Sequence, residues 1–302
     1  EQALYSDVSL LNKITKYVIK RKGKQIRPLL VFLSAKMFHE IQDTTHYAAA
    51  LVELLHTATL LHDDVVDNSH ERRGFFSVYA LWKSKATILV GDFLLAKGLL
   101  LSVQHKMYPV LEIVSGAVQE ISEGELLQLD KSRNLDMTEE VYYDIITKKT
   151  ASLIAACCAA GTASVLPDKR LIEQMKQLGY LIGIAFQIKD DLLDYTPSHI
   201  TGKPTGIDIQ EQKITLPMIY ALRKASPSDR KKMMGIFKNH SDDSDRIQWM
   251  IKRIIELGGL SYAENKMKEY HHRSLEFLQH FPESEAKHSM QLLINYTIER
   301  IK

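Results

Sequence analysis

Apolar residues return every three or four positions along most of this chain, in stretches too long for strands. Leu51, Leu54, Leu55, Ala58 and Leu61 form one such stripe, and Ile113, Ala117, Ile121, Gly124 and Leu127 form a second. Ile172, Met175, Leu178, Ile182, Ala185 and Phe186 form a third, while Leu89, Phe93, Leu94 and the run Leu99 to Leu101 imply another buried helix. Spacings of three and four place side chains on one face of a helix, and no alternating run bounded by turn residues competes with them. Chain breakers are scarce, with 14 Gly and 8 Pro in 302 residues, against averages of roughly 7% and 5%. No linker or low-complexity tract interrupts the pattern, so residues 1–302 are predicted to form a single all-α domain of many helices.

The breakers place the joints. Gly23 and Pro28 precede a helix predicted to run to about Phe38, and Asp43-Thr44-Thr45 is an N-cap for a helix ending near Asp67. Pro109 opens another helix, and Pro167-Asp168 opens one that ends near Asp194. The segment from Thr196 to Gly206 holds two Pro and two Gly and reads as a loop. Shorter amphipathic helices follow Gln210, punctuated by Pro227, Gly258-Gly259 and Pro282.

Composition excludes some functions. The formal net charge is only +2, and no basic run is flanked by aromatics, which argues against nucleic acid as a partner. Cys157 and Cys158 are adjacent, point in different directions on a helix, and are expected to be buried thiols in a reducing cytoplasm. No signal peptide is visible at the N-terminus. Thr150 to Pro167 carries no charge but consists mostly of Ala, Ser, Thr, Gly and Cys. That is too weakly apolar for a membrane span and suits a tightly packed core helix. No transmembrane segment is expected.

Two motifs carry chemistry. Asp63-Asp64-Val65-Val66-Asp67 ends one apolar helix, and Asp190-Asp191-Leu192-Leu193-Asp194 ends another. Spacing of four stacks Asp63 with Asp67, and Asp190 with Asp194, on one face. Like charges repel there, and the C-terminal end of a helix disfavours anions. A cation that compensates them explains both copies at once. Hard carboxylate oxygens suit Mg²⁺, which binds few carboxylates and keeps sites for substrate phosphates. Cations cluster nearby in sequence: Lys24 and Arg27 before a helix, Arg72-Arg73 after the first motif, Lys149 ahead of the uncharged helix, and Lys203 and Lys213 after the second motif. Arg recognises phosphate through a planar fork and Lys as a point charge. The set suggests a site for phosphorylated anions.

From roughly Leu10 to its end, the chain resembles the trans-type (E-type) polyprenyl diphosphate synthases, in particular their long-chain, octaprenyl-like branch. The stretch His56-Thr57-Ala58-Thr59-Leu60-Leu61-His62 running into the first acidic motif carries the resemblance, with Arg72-Arg73-Gly74 after it. Gly91-Asp92-Phe93, Phe186-Gln187-Ile188-Lys189 before the second motif, and Gly202-Lys203-Pro204-Thr205-Gly206-Ile207-Asp208 match as well. Lys22 stands where many relatives have a second Gly, and Ile207 where many have Thr. The resemblance implies a helical bundle around a central cavity, the isoprenoid synthase fold. It implies that Asp63, Asp67 and Asp190 bind Mg²⁺ gripping an allylic diphosphate, with Asp64, Asp191 and Asp194 assisting. Arg72, Lys149 and Lys203 would contact that diphosphate, and Lys24, Arg27, His56 and Arg73 would hold isopentenyl diphosphate. Thr150, Gln187 and Lys213 would line the reacting centre or its diphosphate. A homodimer, a product serving as a quinone side chain, and a transient membrane contact for product release are further expectations.

Product length is expected to be set below Asp63. Ala58 and Thr59, about one turn earlier, are small where short-chain relatives carry bulky aromatics, so a long product is predicted. A short-chain synthase, a terpene cyclase, a phosphohydrolase built on His62-Asp63, and a non-catalytic partner subunit are the competing readings. The second complete triad and the Lys24, Arg27 and Arg73 set argue against the last three.

Overall fold

Helices take up most of the described backbone. The structure, a computed structural model, describes residues 4–21, 23–72, 74–134, 137–196 and 205–300, with the side chains of residues 133 and 134 left aside. Contacts divide the chain into two compact units, Glu1–Gly116 with Cys157–Met175, and Ala117–Ala156 with Lys176–Lys302.

The first unit holds α1 (Ser9–Lys20), α2 (Ile26–Lys36), α3 (Asp43–Val66) and α4 (Val78–Gln104). It also contains the start of α5 (Tyr108–Asn134), the end of α7 (Ser152–Ala163) and the start of α8 (Lys169–Asp194). A two-residue antiparallel pair, β1 (Glu71–Arg72) and β2 (Phe75–Phe76), joins α3 to α4. Two residues per strand leave no alternation for a sequence to display. The residue flanking α3 is Gln42 rather than the predicted Asp43-Thr44-Thr45. The backbone N–H of Gln42 donates to Thr45 Oγ1 at 3.3 Å. Thr44 Oγ1 instead donates to Ser164 O at 2.6 Å, tying the start of α3 to the segment after α7. Ile14, Ala58, Leu61, Val78, Val90 and Leu94 close a core cluster between α1, α3 and α4.

The apolar stripe of α4 departs from expectation. Leu94 is buried, but Leu89 is 58% exposed and Leu99, Leu100 and Val103 also face outward. α4, not the Thr150–Pro167 stretch, is long and apolar enough to cross a membrane by length and composition, and a third of that window is buried. The helix is apolar on two sides, and only one of them packs on α3. Periodicity cannot separate those sides when both are Leu and Val.

The second unit continues with α6 (Glu139–Ile146), a π-helical turn (Thr147–Ala151), and the parts of α5, α7 and α8 that belong to it. It is completed by α9 (Ile207–Gln210), α10 (Leu216–Lys224), α11 (Pro227–Asn239), α12 (Ser244–Glu256), α13 (Gly259–Leu278) and α14 (Glu285–Glu299). Ser226, Asp243 and Ser284 cap α11, α12 and α14 by accepting first-turn N–H groups at about 3.1 Å. Each such cap contributes about 1 kcal/mol. Pro227 at the first position of α11 suits a turn whose N–H groups lack helical partners. Tyr142, Ile188, Leu216, Met218 and Phe237 lie in one buried cluster.

The uncharged stretch is a core helix, as its composition predicted: residues from Ala151 to Ala160 are all buried. Small side chains allow close approach. A Cβ at Gly179 would fall 2.4 Å from Ala155 Cα, so only glycine lets α8 lie against that turn of α7. Cys157 and Cys158 are buried free thiols, and burial pushes the Cys158 thiol up to about 12.

Candidate active site

The first acidic motif closes α3 and divides into an inner and an outer part. Asp64 is 2% exposed, and its Oδ1 accepts from Arg72 Nε at 2.6 Å. Burial raises its carboxyl above the ordinary value and the Arg72 guanidinium opposes that. Asp67 lies on the exposed helix end. Arg72 is aimed by the β1–β2 hairpin, which α1 anchors. Tyr17 donates from its hydroxyl to Phe76 O at 2.6 Å, and the Arg21 guanidinium stacks 3.3 Å from the Tyr17 ring centre and 4.6 Å from that of Phe75. Arg73 lies outside the described residues.

A cavity of about 650 Å³ adjoins this motif within the first unit. Its polar lining includes Asp64, Arg72, His56, Glu53, Thr57 and Arg21, with Gly23 and Gln25 from the turn before α2. Lys24, between those two, is exposed, and Arg27 is half-buried in the first turn of α2. The apolar lining runs down α3 through Leu60, Leu61 and Leu54 to Tyr47, with Leu94 and Leu101 from α4. From Asp64 to Tyr47 is seventeen residues of helix, about 25 Å at 1.5 Å per residue. Ala58 and Thr59, the residues expected to set product length, are not among those that line this space. Ala58 is buried between α1 and α4, and Thr59 donates to His56 O at 2.9 Å. His62 packs over Gly91 and sits 3.4 Å from Asp92 Oδ1, which gives both halves of that matched motif a partner.

The second motif closes α8 and shows the same division. Asp191 is 5% exposed and accepts from Tyr142 Oη at 2.6 Å and Gln187 Nε2 at 2.8 Å. Gln187 Oε1 in turn accepts from Thr150 Oγ1 at 2.7 Å. Burial pushes the Asp191 carboxyl up to about 7 against those two donors. Asp194 does other work: its carboxylate accepts the backbone N–H groups of Ile207 (2.9 Å) and Asp208 (3.2 Å), capping α9. Asp208 is pushed up to about 8, by burial first and then by Asp191 and Asp194. Asp190 is the outer member, 42% exposed, with Oδ1 accepting from Arg300 at 2.6 Å.

Lys149 and Thr150 sit on the π-helical turn. A Cβ at Gly124 would stand 2.9 Å from Lys149 N, so the glycine in the α5 stripe lets this turn close in. Lys149 Nζ reaches Glu125 at 2.8 Å and Gln128 Oε1 at 3.1 Å. π-helical turns inside helices recur at functional sites. Lys213 bonds Glu211, and Lys203 lies outside the described residues.

Residues 8–254 match the model of the family described as Polyprenyl synthetase. The chain belongs to that family. The octaprenyl diphosphate synthase of Escherichia coli is 33% identical over 99% of this chain and 93% of its own length. A short chain isoprenyl diphosphate synthase of Methanothermobacter thermautotrophicus is also 33% identical, over 96% of this chain and 90% of its own. A polyprenyl synthase from Caulobacter crescentus, solved in complex with calcium and isoprenyl diphosphate, superposes with a TM-score of 0.92 at 33% identity, covering 100% and 92% of the two chains. This polyprenyl synthetase is accordingly an all-α prenyltransferase that elongates prenyl chains.

Several residues of this polyprenyl synthetase escaped the sequence. Tyr142 precedes Asp191 by 49 positions and carries no motif, yet it holds the buried carboxylate. Glu125 and Gln128, partners of Lys149, belong to no motif. Asp208 entered as the last letter of a matched motif, not as a carboxylate beside Asp191 and Asp194. Arg300 belongs to none of the matched motifs, and its side chain is 9% exposed. Contacts made at long sequence separation leave no local signal.

Proposed function

We propose that this prenyltransferase joins an allylic diphosphate such as farnesyl diphosphate to successive isopentenyl diphosphate units with Mg²⁺, and that its product is a long all-trans polyprenyl diphosphate. The observation that carries the reading is the repeated arrangement of the acidic motifs. In each, one aspartate is buried and held by internal donors while another, Asp67 or Asp190, remains accessible. A solvated acidic helix end would not bury and orient its middle carboxylate twice. The donor set is all carboxylate oxygen, which fits a hard cation. Magnesium, when bound, supplies charge neutralisation to the departing diphosphate.

The chain's own residues do the rest. Arg72 and Lys149, with Lys203, bind the allylic diphosphate and stabilise charge as the carbon–oxygen bond breaks. Lys24, Arg27, His56 and Arg73 hold isopentenyl diphosphate so that its double bond attacks the allylic carbon, which removes much of the entropic barrier. Thr150 and Gln187 line the reacting centre, and Lys213 assists at the diphosphate. The proton lost in forming the new double bond passes to the departing diphosphate. Apolar walls keep water from the cation.

The cavity along α3 supports a long product. About 25 Å of helix accommodates roughly five isoprene units, since one helical turn of 5.4 Å is close to one unit. Identity does not separate the long-chain from the short-chain relatives, so product length rests on that cavity. The apolar outer face of α4, with Leu89 and Leu100 more than two-fifths exposed, supports a homodimer through this helix. We further read residues 1–302 as one working synthase and its product as a quinone side chain precursor.

Asp63→Asn and Asp190→Asn test the reading. Incubated with farnesyl diphosphate, isopentenyl diphosphate and Mg²⁺, each variant is expected to lose at least about a thousandfold in turnover. Turnover retained within tenfold of the parent in both would refute the metal assignment.

A further inference from the structure

The Arg300 side chain packs against Asp190, the outer carboxylate of the second acidic motif. Arg300 follows α14, beyond the residues 8–254 that match the family model. Its side chain is 9% exposed and every contact is specific. Nη2 donates to Asp190 Oδ1 at 2.6 Å and to Phe186 O at 3.3 Å, Nε donates to Thr297 O at 3.1 Å, and the guanidinium lies 3.9 Å over the Phe186 ring. Asp190 remains 42% exposed, and among the described residues nothing bonds its Oδ2. A fixed cation therefore neutralises the carboxylate from below while its other oxygen faces outward.

We propose that Arg300 is a built-in counter-ion that makes divalent-cation binding at Asp190 depend on the diphosphate. The inference rests on reading Asp190 as a metal ligand. With Arg300 in place, the Asp190–Arg300 pair carries no net charge, so a divalent ion approaching Oδ2 gains little and is repelled by the guanidinium behind it. A diphosphate restores the negative charge that the pair lacks, and metal and substrate then bind together. Burial and four contacts hold Arg300 in place throughout, so it tunes the site without leaving it. Arg cannot lose its proton, so the effect persists across pH. An enzyme that generates a carbocation gains from this order, because metal bound without substrate leaves reactive water in the site.

The test uses Mn²⁺ as the probe ion, titrated calorimetrically into the full chain with and without inorganic pyrophosphate. Wild type is expected to bind Mn²⁺ at least about a hundredfold more tightly with pyrophosphate present. Arg300→Gln should bind Mn²⁺ alone at least about tenfold more tightly than wild type does, since one unit of positive charge near the ion is removed. Arg300→Met, which keeps the stem over Phe186, should do the same, and Arg300→Lys, which keeps the charge, should follow wild type. Circular dichroism melts report which variants are folded, and one charge-free variant that folds suffices. Mn²⁺ affinity that is unchanged or weaker in the charge-free variants overturns the proposal while leaving the metal reading intact. Wild type that binds no Mn²⁺ even with pyrophosphate overturns the metal reading and the counter-ion together.

Discussion

Tyr142→Phe removes one oxygen from the buried partner of Asp191 and nothing else. The ring is buried and stays packed edge-on to Tyr143 at 5.5 Å between centres, so no cavity larger than a hydroxyl opens. Asp191 keeps Gln187 Nε2 as a donor but loses the 2.6 Å bond. A hydrogen bond to a charged group contributes about 1.5–3 kcal/mol, which is roughly one to two units of carboxyl pKa. Starting from about 7, the Asp191 carboxyl moves to roughly 8–9. The ionised fraction at pH 7 then falls from about one half to between about a tenth and a hundredth, a loss of five- to fiftyfold. Metal affinity scales with the deprotonated ligand, so the apparent Mg²⁺ requirement at pH 7 rises by the same factor. At pH 9 wild type is ionised and the variant is at least about half ionised, so the two differ by about twofold at most. The assay is initial rate against Mg²⁺ concentration at pH 7 and pH 9 with fixed substrates. A variant whose Mg²⁺ requirement matches wild type at pH 7, or one equally impaired at both pH values, would refute the claim that Tyr142 sustains the ionised form of Asp191.

Two further outcomes follow from the packing. Leu54→Phe, on the cavity wall, is expected to shorten the product by about one or two isoprene units with little change in melting temperature, whereas Ala58→Phe shortens it only at a cost of about 1–3 kcal/mol in stability from overpacking between α1 and α4. Chromatography of dephosphorylated products with thermal melts distinguishes them, and an unchanged chain length in Leu54→Phe would remove the cavity from the account of product length. Leu89→Lys combined with Leu100→Lys on the outer face of α4 is expected to convert a dimer to a monomer in sedimentation velocity, and a dimer unaffected by both charges would place the contact elsewhere.

The helical class, the long α3 and α8 and the two acidic motifs that end them were determined by the sequence alone. Their causes are local: period, caps and breakers act within a few residues, as Asp168 shows by accepting the N–H groups of Arg170 and Leu171 where Pro167 announced a helix start. The uncharged α7 was legible for the same reason, because small residues without charge suit only a crowded interior. Tertiary structure alone decided which aspartate of each motif turns inward. Asp63, Asp64 and Asp67 are the same residue type, and their division comes from Arg72 on the hairpin, just as that of Asp190, Asp191 and Asp194 comes from Tyr142, Arg300 and the backbone of Ile207 and Asp208. It also decided that one apolar side of α4 packs on α3 while the other stays outside, since leucine has the same hydrophobicity on either side. A sequence records what each residue prefers, and the fold assigns the partner, because hydrogen bonds and burial depend on atoms brought close from positions far apart in the chain.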